Sequence, residues 1–296
     1  MAQPMTMRNA GGVPFLTLRG FFVVRNGHQP DGDTIHFAAG AEFAKGRIKV
    51  SVPVAADGKR SVAVRLQSID APEKAQPLGA KSRDALLRKL GMAPAQLGLS
   101  ATDFTVNGLA APLLRAGWLA THGMDGNGRP LGYVFVGDVK GFKHGEETSA
   151  EAVRARVKSS INHSQVSLGT AFPAFYENTE ESHAVIFQAT AQRARSYKRG
   201  VWAGDTTTTG FRPAKTSLEA PDGALVYPKF YRRVAGWSTA SGNATAFIEW
   251  LKKQADGKKL VSGAEFNPVP LWRLFVRVSA ERVAVPYDVT KLWFSE

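Results

Sequence analysis

Three short stretches of this 296-residue chain hold charged residues at spacings that chemistry could use. They are DGDT at 31–34, with Asp31 and Asp33; RLQSIDAPE at 65–73, with Arg65, Asp70 and Glu73; and DGNGR at 125–129, with Arg129. Each has an ordinary reading by itself. Asp-Gly-Asp is a turn sequence, Asp70 before Ala-Pro is a natural strand stop, Glu73 suits the first turn of a following helix, and Arg129 is a loop arginine. Taken together they point further. Hard divalent cations such as calcium take oxygen ligands from carboxylates and carbonyls, and Asp33, Asp70 and the Ala71 carbonyl would supply a partial cage. Glu73, three residues beyond Asp70, could hold and deprotonate an attacking water. Arg65 and Arg129 could clamp a phosphate whose transition state spreads negative charge over its equatorial oxygens. Those are the parts of a phosphodiester-hydrolysing site.

Periodicity indicates the elements that must carry these residues. Residues 1–12 have none and are expected to be a loose tail. Alternation over 14–24, DGDTIHF (31–37) and GRIKVSVPVAADGKRSVAVRLQSID (46–70) predicts a β-rich first half, with Asp57-Gly58 turning between two strands. GAKSRDALLRKLG (79–91) has helical spacing closed by glycine, and residues 113–138 read as two strands with Arg129 at the base of their loop. The pattern turns helical over 147–169 and again over 180–200. Five or so short strands followed by helices predict a mainly β, α+β fold: a five-stranded barrel of OB type with packed helices. GDTTTTG (204–210) is expected to be a linker between a barrel domain over 13–204 and a smaller α/β accessory module over 205–296. In that module NATAFIEWLKKQADG is an Asn-capped amphipathic helix, and Trp237, Trp250, Trp272 and Trp293 would form a core of its own.

Composition narrows the partner. Lys and Arg outnumber Asp and Glu by 38 to 25, for a formal charge of +13, which favours a polyanion. Residues 205–296 hold 13 basic and 9 acidic residues, so most of the excess lies before them. Arg232, Arg233, Lys252 and Lys253 of the module could still grip phosphates, or the module could bind a protein partner. With no cysteine, disulfides, thiol nucleophiles and thiolate metal sites are excluded. No apolar run reaches the ~18 residues of a membrane span, so integral membrane association is not expected. VPFLTLRGFFVV (13–24) is interrupted by Arg19 and lacks the small-residue cleavage pattern of a signal peptide, which leaves the location open between the cytoplasm and export by a leaderless route. The six histidines show no paired zinc spacing, though His36 and His122 fall near the candidate site. DGDTIHFAAGAE begins like a calcium-binding helix–loop–helix segment but has His36 where that loop requires glycine.

The order and wording of these stretches resemble the staphylococcal nuclease (thermonuclease) family. The resemblance spans about residues 14–204 and rests on DGDT, on Arg65 followed by LQSIDAPE, on DGNGRPLGYVFV, on INHSQVSLGTAFPAFY and on ATAQRARSYKRGVW. It implies an OB-type barrel that cuts DNA and RNA with calcium and leaves 3′-phosphates. By the same resemblance, Asp33 and Asp70 look like calcium ligands, Glu73 like the general base or a water-orienting carboxylate, Arg65 and Arg129 like the transition-state arginines, and Asp31 like a carboxylate behind the ligands. The chain departs from the family pattern in places. Gly126 and Asn127 stand where the family has a phosphate-contacting Lys-Tyr pair. Phe175 stands at a base-contacting tyrosine and could still stack on a base, with Tyr176 beside it. The 32 residues from Asp33 to Arg65 leave room for an inserted hairpin beside the site. The serious alternative is a non-catalytic nucleic-acid-binding scaffold of the same fold, and retention of the acidic and arginine set favours the enzyme.

Overall fold

A computed structural model describes residues 12–39, 41–45, 48–52, 61–237 and 242–295, with backbone alone between 41 and 52. Five strands carry the alternation of the first half: β1 (Phe15–Val24), β2 (Thr34–Ala38), β3 (Val62–Leu66), β4 (Leu113–Met124) and β5 (Pro130–Val136). They pair in the order β2-β3-β5-β4-β1, and β1 pairs again with β2, so the sheet closes on itself. Only the β3–β5 pair is parallel. Closure removes the open edges and turns Leu18, Phe22, Phe37, Val64, Leu119 and Phe135 into a buried interior. The two long strands need glycine where neighbouring backbone and rings press closest. Gly20 and Gly117 face one another across β1 and β4, where a Cβ would run into the Phe37 ring and Ala38 carbonyl on one side and the Phe22 ring and Phe135 carbonyl on the other. The inserted segment forms a hairpin, Ala41–Lys45 with Ile48–Val52. Thus Ile48–Val52 pairs backward within the insertion, and β3 pairs with β2; the Asp57-Gly58 turn lies outside the described residues.

Helices α1 (Gly79–Lys89), α2 (Ile161–Leu168) and α3 (Glu181–Ser196) pack on this barrel. The helical pattern of 147–169 is not one helix. Ser149 accepts the Ala152 N–H and Ser160 the His163 N–H, so two serine caps divide it into Ala150–Arg154, a single tight turn and α2.

Residues after 204 share the apolar core of the barrel side. GDTTTTG is built in: Thr207 is fully buried and its hydroxyl accepts the Tyr227 N–H. Helices α4 (Pro228–Gly236) and α5 (Ala244–Lys253) follow, then a hairpin of Leu260–Gly263 with Phe266–Pro270. The strand Trp293–Phe294 joins that hairpin on one side and runs parallel to Phe175–Tyr176 on the other. The tryptophans therefore form no separate core. Trp293 packs on Phe175 with ring centroids 5.3 Å apart, while Trp250 and Trp272 are only half-buried.

Several buried histidines must stay neutral in this fold. His28 accepts the Arg25 Nε–H at 2.8 Å and stacks on His36, and burial first, then the charge of its neighbours, pushes its pKa down to about 4. His122 is buried beside Phe15 and Gln67, with its pKa also lowered to about 4 chiefly by burial. The unfolded chain would bind protons here between about pH 6.5 and pH 4 that the native state refuses. Stability is therefore complete above pH 6.5 and lost as pH falls through that window, by on the order of 3 kcal/mol for His28 alone. Urea unfolding at pH 7 and pH 4.5 should show the drop, and His28→Asn should reduce it; a flat profile would contradict the neutral assignment.

Candidate active site

The site lies where β2 begins, β3 ends and β5 begins. Thr34 pairs with Arg65, and Arg65 with Leu131, so the barrel register alone brings DGDT, Arg65 and the loop before β5 together. The Asp33 carbonyl accepts the Leu66 N–H at 2.8 Å, and the Asp33 carboxylate accepts the Ala71 N–H at 2.8 Å, tying the two acidic words to each other. Asp31 in turn accepts the Asp33 N–H through Oδ1. Glycine is required between them because a Cβ at Gly32 would overlap the Ser82 hydroxyl of α1 and the Ala71 methyl.

Helix α2 braces these loops from behind. Gln165 Nε2 donates to the Gly32 carbonyl at 2.7 Å and to the Ser82 carbonyl at 3.1 Å. Asn162 Nδ2 donates to the Gln67 and Gly132 carbonyls at 2.9 Å each, and its Oδ1 accepts the Val134 N–H. Both amides are completely buried and lie three residues apart on one helix face. Sequence reasoning assigned them no role, although two wholly polar amides on the inward face of a short helix are a readable signal.

Arg65 bridges the two buried carboxylates. Its Nη1 pairs with Asp33 and its Nη2 donates to Asp70 Oδ1 at 2.7 Å. Arg129 is aimed by Asp125, which takes its Nε–H at 2.7 Å and its backbone N–H at 2.8 Å, and its Nη1 reaches the Thr34 hydroxyl. Glu73 sits in a turn fixed by Gln76, whose Oε1 accepts the Glu73 N–H and whose N–H donates to the Glu73 carbonyl.

A second arginine on Asp70 comes from the far end of the chain. Arg232 of α4 donates through Nη2 to Asp70 Oδ2 at 2.8 Å, and through Nη1 to Asp70 Oδ1 at 3.1 Å and Glu73 Oε1 at 2.5 Å. Burial alone would raise the Asp70 pKa, but Arg232 and then Arg65 outweigh it and hold it down to about 2. Glu73 moves the other way, raised by burial more than Arg232 lowers it. Asp31 is raised to about 7 by burial and then by the Asp33 charge.

These groups border one polar basin of about 570 Å³. Asp31, Arg65, Glu73, Asn127, Arg129 and Tyr176 line it from the barrel side, and Lys229, Arg232, Arg233 and Lys259 from the C-terminal side. Phe175 does not reach it. It is fully buried beneath Trp293, so the expectation that it stacks on a base is corrected by the strand that covers it. Of the four basic residues singled out after 204, Lys252 instead pairs with Glu249 and lies over the Trp272 ring, and Lys253 does not line the basin. Lys229 was missed. Its ammonium rests 4.5 Å from the Tyr176 ring centroid and 4.4 Å from that of Phe294, with a pKa lowered to about 7 by burial and then by Arg232.

The cage inferred for calcium was Asp33, Asp70 and the Ala71 carbonyl. Both oxygens of Asp33 accept hydrogen bonds, one from Arg65 and one from the Ala71 N–H, and both oxygens of Asp70 accept from guanidinium groups. Among the described residues no three acidic or histidine side chains converge as a metal ion would require. The arrangement does not fit a calcium ion.

A closed five-stranded barrel whose rim gathers arginines and carboxylates around a polar basin defines a nuclease-like or nucleic-acid-binding fold. Residues 63–204 match the family model of the staphylococcal nuclease homologues, and this part of the chain is a domain of that family. The match includes Arg65, Asp70, Glu73 and Arg129 and begins after Asp31 and Asp33. A comparison with curated proteins found no match to the chain. No helix among the described residues is long and apolar enough to cross a membrane.

The bracing of the DGDT loop is directly testable. Gly32→Ala must push α1 away from the loop, and urea denaturation should show a loss of about 1–3 kcal/mol; a change below about 0.5 kcal/mol, the scale of an unconstrained surface site, would mean that the loop is not pressed on α1.

Proposed function

We propose that this protein hydrolyses phosphodiester bonds in DNA or RNA at this basin. What supports the reading is that Glu73, with its pKa raised, borders the same basin as the guanidinium groups of Arg65 and Arg129. The oxygen of a water forms the new bond to phosphorus and its proton passes to Glu73. The bond from phosphorus to the departing sugar oxygen breaks, and that oxygen takes a proton from solvent. Arg65 and Arg129 bear the negative charge that grows on the phosphate, and both are held in place before substrate arrives, so little reorganisation is needed. Asn127 and Tyr176 would meet the flanking nucleotide, and the basic C-terminal side of the basin would guide the strand.

A second reading, a nucleic-acid-binding scaffold without chemistry, draws on the contact between Arg232 and Glu73, which engages one oxygen of the proposed base. Cleavage of supercoiled plasmid and of single-stranded RNA separates the two. Wild-type protein should cut, and Glu73→Gln should lower kcat by about 10²–10⁴-fold while strand binding is retained. Tight binding without cleavage by the wild-type protein would establish the scaffold. Arg129→Ala should lower kcat by roughly 10²–10³-fold with a smaller change in KM; equal losses in rate and affinity would make Arg129 a plain phosphate anchor.

A further inference from the structure

We infer that Arg232 fills the place a cation shared by Asp70 and Glu73 would take, while Arg65 spans Asp33 and Asp70, so that the chain cleaves phosphodiesters with fixed guanidiniums and without a divalent metal; the inference rests on the proposed nuclease reading. One guanidinium bridges Asp70 and Glu73, with contacts of 2.8 and 3.1 Å to the first and 2.5 Å to the second. A cation shared by these two carboxylates would have to stand in the same place.

Arg232 belongs to the fold and is not a flap that a metal could brush aside. Its helix, α4, buries Phe230, Tyr231 and Val234. The chain leading into α4 is bonded to the barrel side at two points: Tyr227 Oη donates to the Pro173 carbonyl, and Gln76 Nε2 donates to the Val226 carbonyl, each at 2.9 Å. Gln76 is also the residue that fixes the Glu73 turn, so the base and the arginine share one brace.

Charge leads to the same conclusion. In this ion-paired group three carboxylates, Asp33, Asp70 and Glu73, face two guanidiniums, Arg65 and Arg232, which leaves one negative charge where a dication would bring two positive ones. A dication added between two guanidiniums and beside Lys229 would meet strong repulsion in a partly desolvated site. Expelling Arg232 instead would strip a carboxylate that has no exposure to solvent. The Arg232 side chain is one-third exposed and lines the basin, and a guanidinium has five N–H donors, so it can hold Asp70 and still donate to a phosphate oxygen.

Two readouts test this on the full chain. Isothermal titration with calcium chloride should give no binding heat with wild-type protein, and its thermal midpoint should be the same in calcium and in chelator. Cleavage in chelator should stay within about twofold of cleavage in calcium. Arg232→Ala should lose at least about 100-fold of chelator-resistant cleavage, the scale of one lost transition-state donor, and should gain calcium binding. Arg232→Lys, which keeps one charge on the helix if the alanine variant does not fold, should retain part of the cleavage and still bind no calcium. Calcium binding by the wild-type protein, or cleavage that vanishes in chelator and returns with calcium, would overturn the inference. Absence of cleavage under every condition would remove the nuclease reading and metal-free cleavage with it, and calorimetry would then decide alone whether Arg232 fills the cation position.

Discussion

The burial of Asp70 is the constraint around which the rest of the site is arranged. A carboxylate without solvent exposure is tolerated only with charge partners and hydrogen bonds to its oxygens. Here the partners are Arg65 from the barrel and Arg232 from the C-terminal segment. Removing either would leave the other side of the pair unbalanced, so the C-terminal segment is part of the site's electrostatics and not an appendage to it. The two parts of the chain also share one apolar core and one parallel strand pair, which hold Arg232 in place against Asp70.

Around that pair the barrel works as a positioning device. Register places Arg65 between the strands that follow Asp33 and Arg129. Buried amides of α2 hold the loop backbones, and Asp125 and Gln76 each set the pose of one functional residue through local hydrogen bonds. A site held this way needs few large motions to meet a phosphate, which suits stabilisation of a charged transition state by preorganised donors.

Much of this could be read in the sequence where the causes are local. Gly32 signals a turn, alternation signals strands, and the spacing from Asp70 to Glu73 is fixed by Pro72 within one turn of chain. What lay hidden was long-range. Arg232 was visible as a basic residue but not as the partner of Asp70, 162 positions earlier. Phe175 looked available for stacking because nothing in its neighbourhood announces that Trp293 will cover it. The serine caps at 149 and 160 were local and readable, yet the strong apolar spacing around them suggested one helix.

The most direct measurement is a crystal structure of Glu73→Gln with a short single-stranded oligonucleotide, grown in calcium. A backbone phosphate is expected within hydrogen-bonding distance of Arg65, Arg129 and Arg232, with Arg232 still bonded to Asp70. A calcium ion bound to Asp70 with Arg232 displaced, or a strand bound outside the basin, would contradict this arrangement.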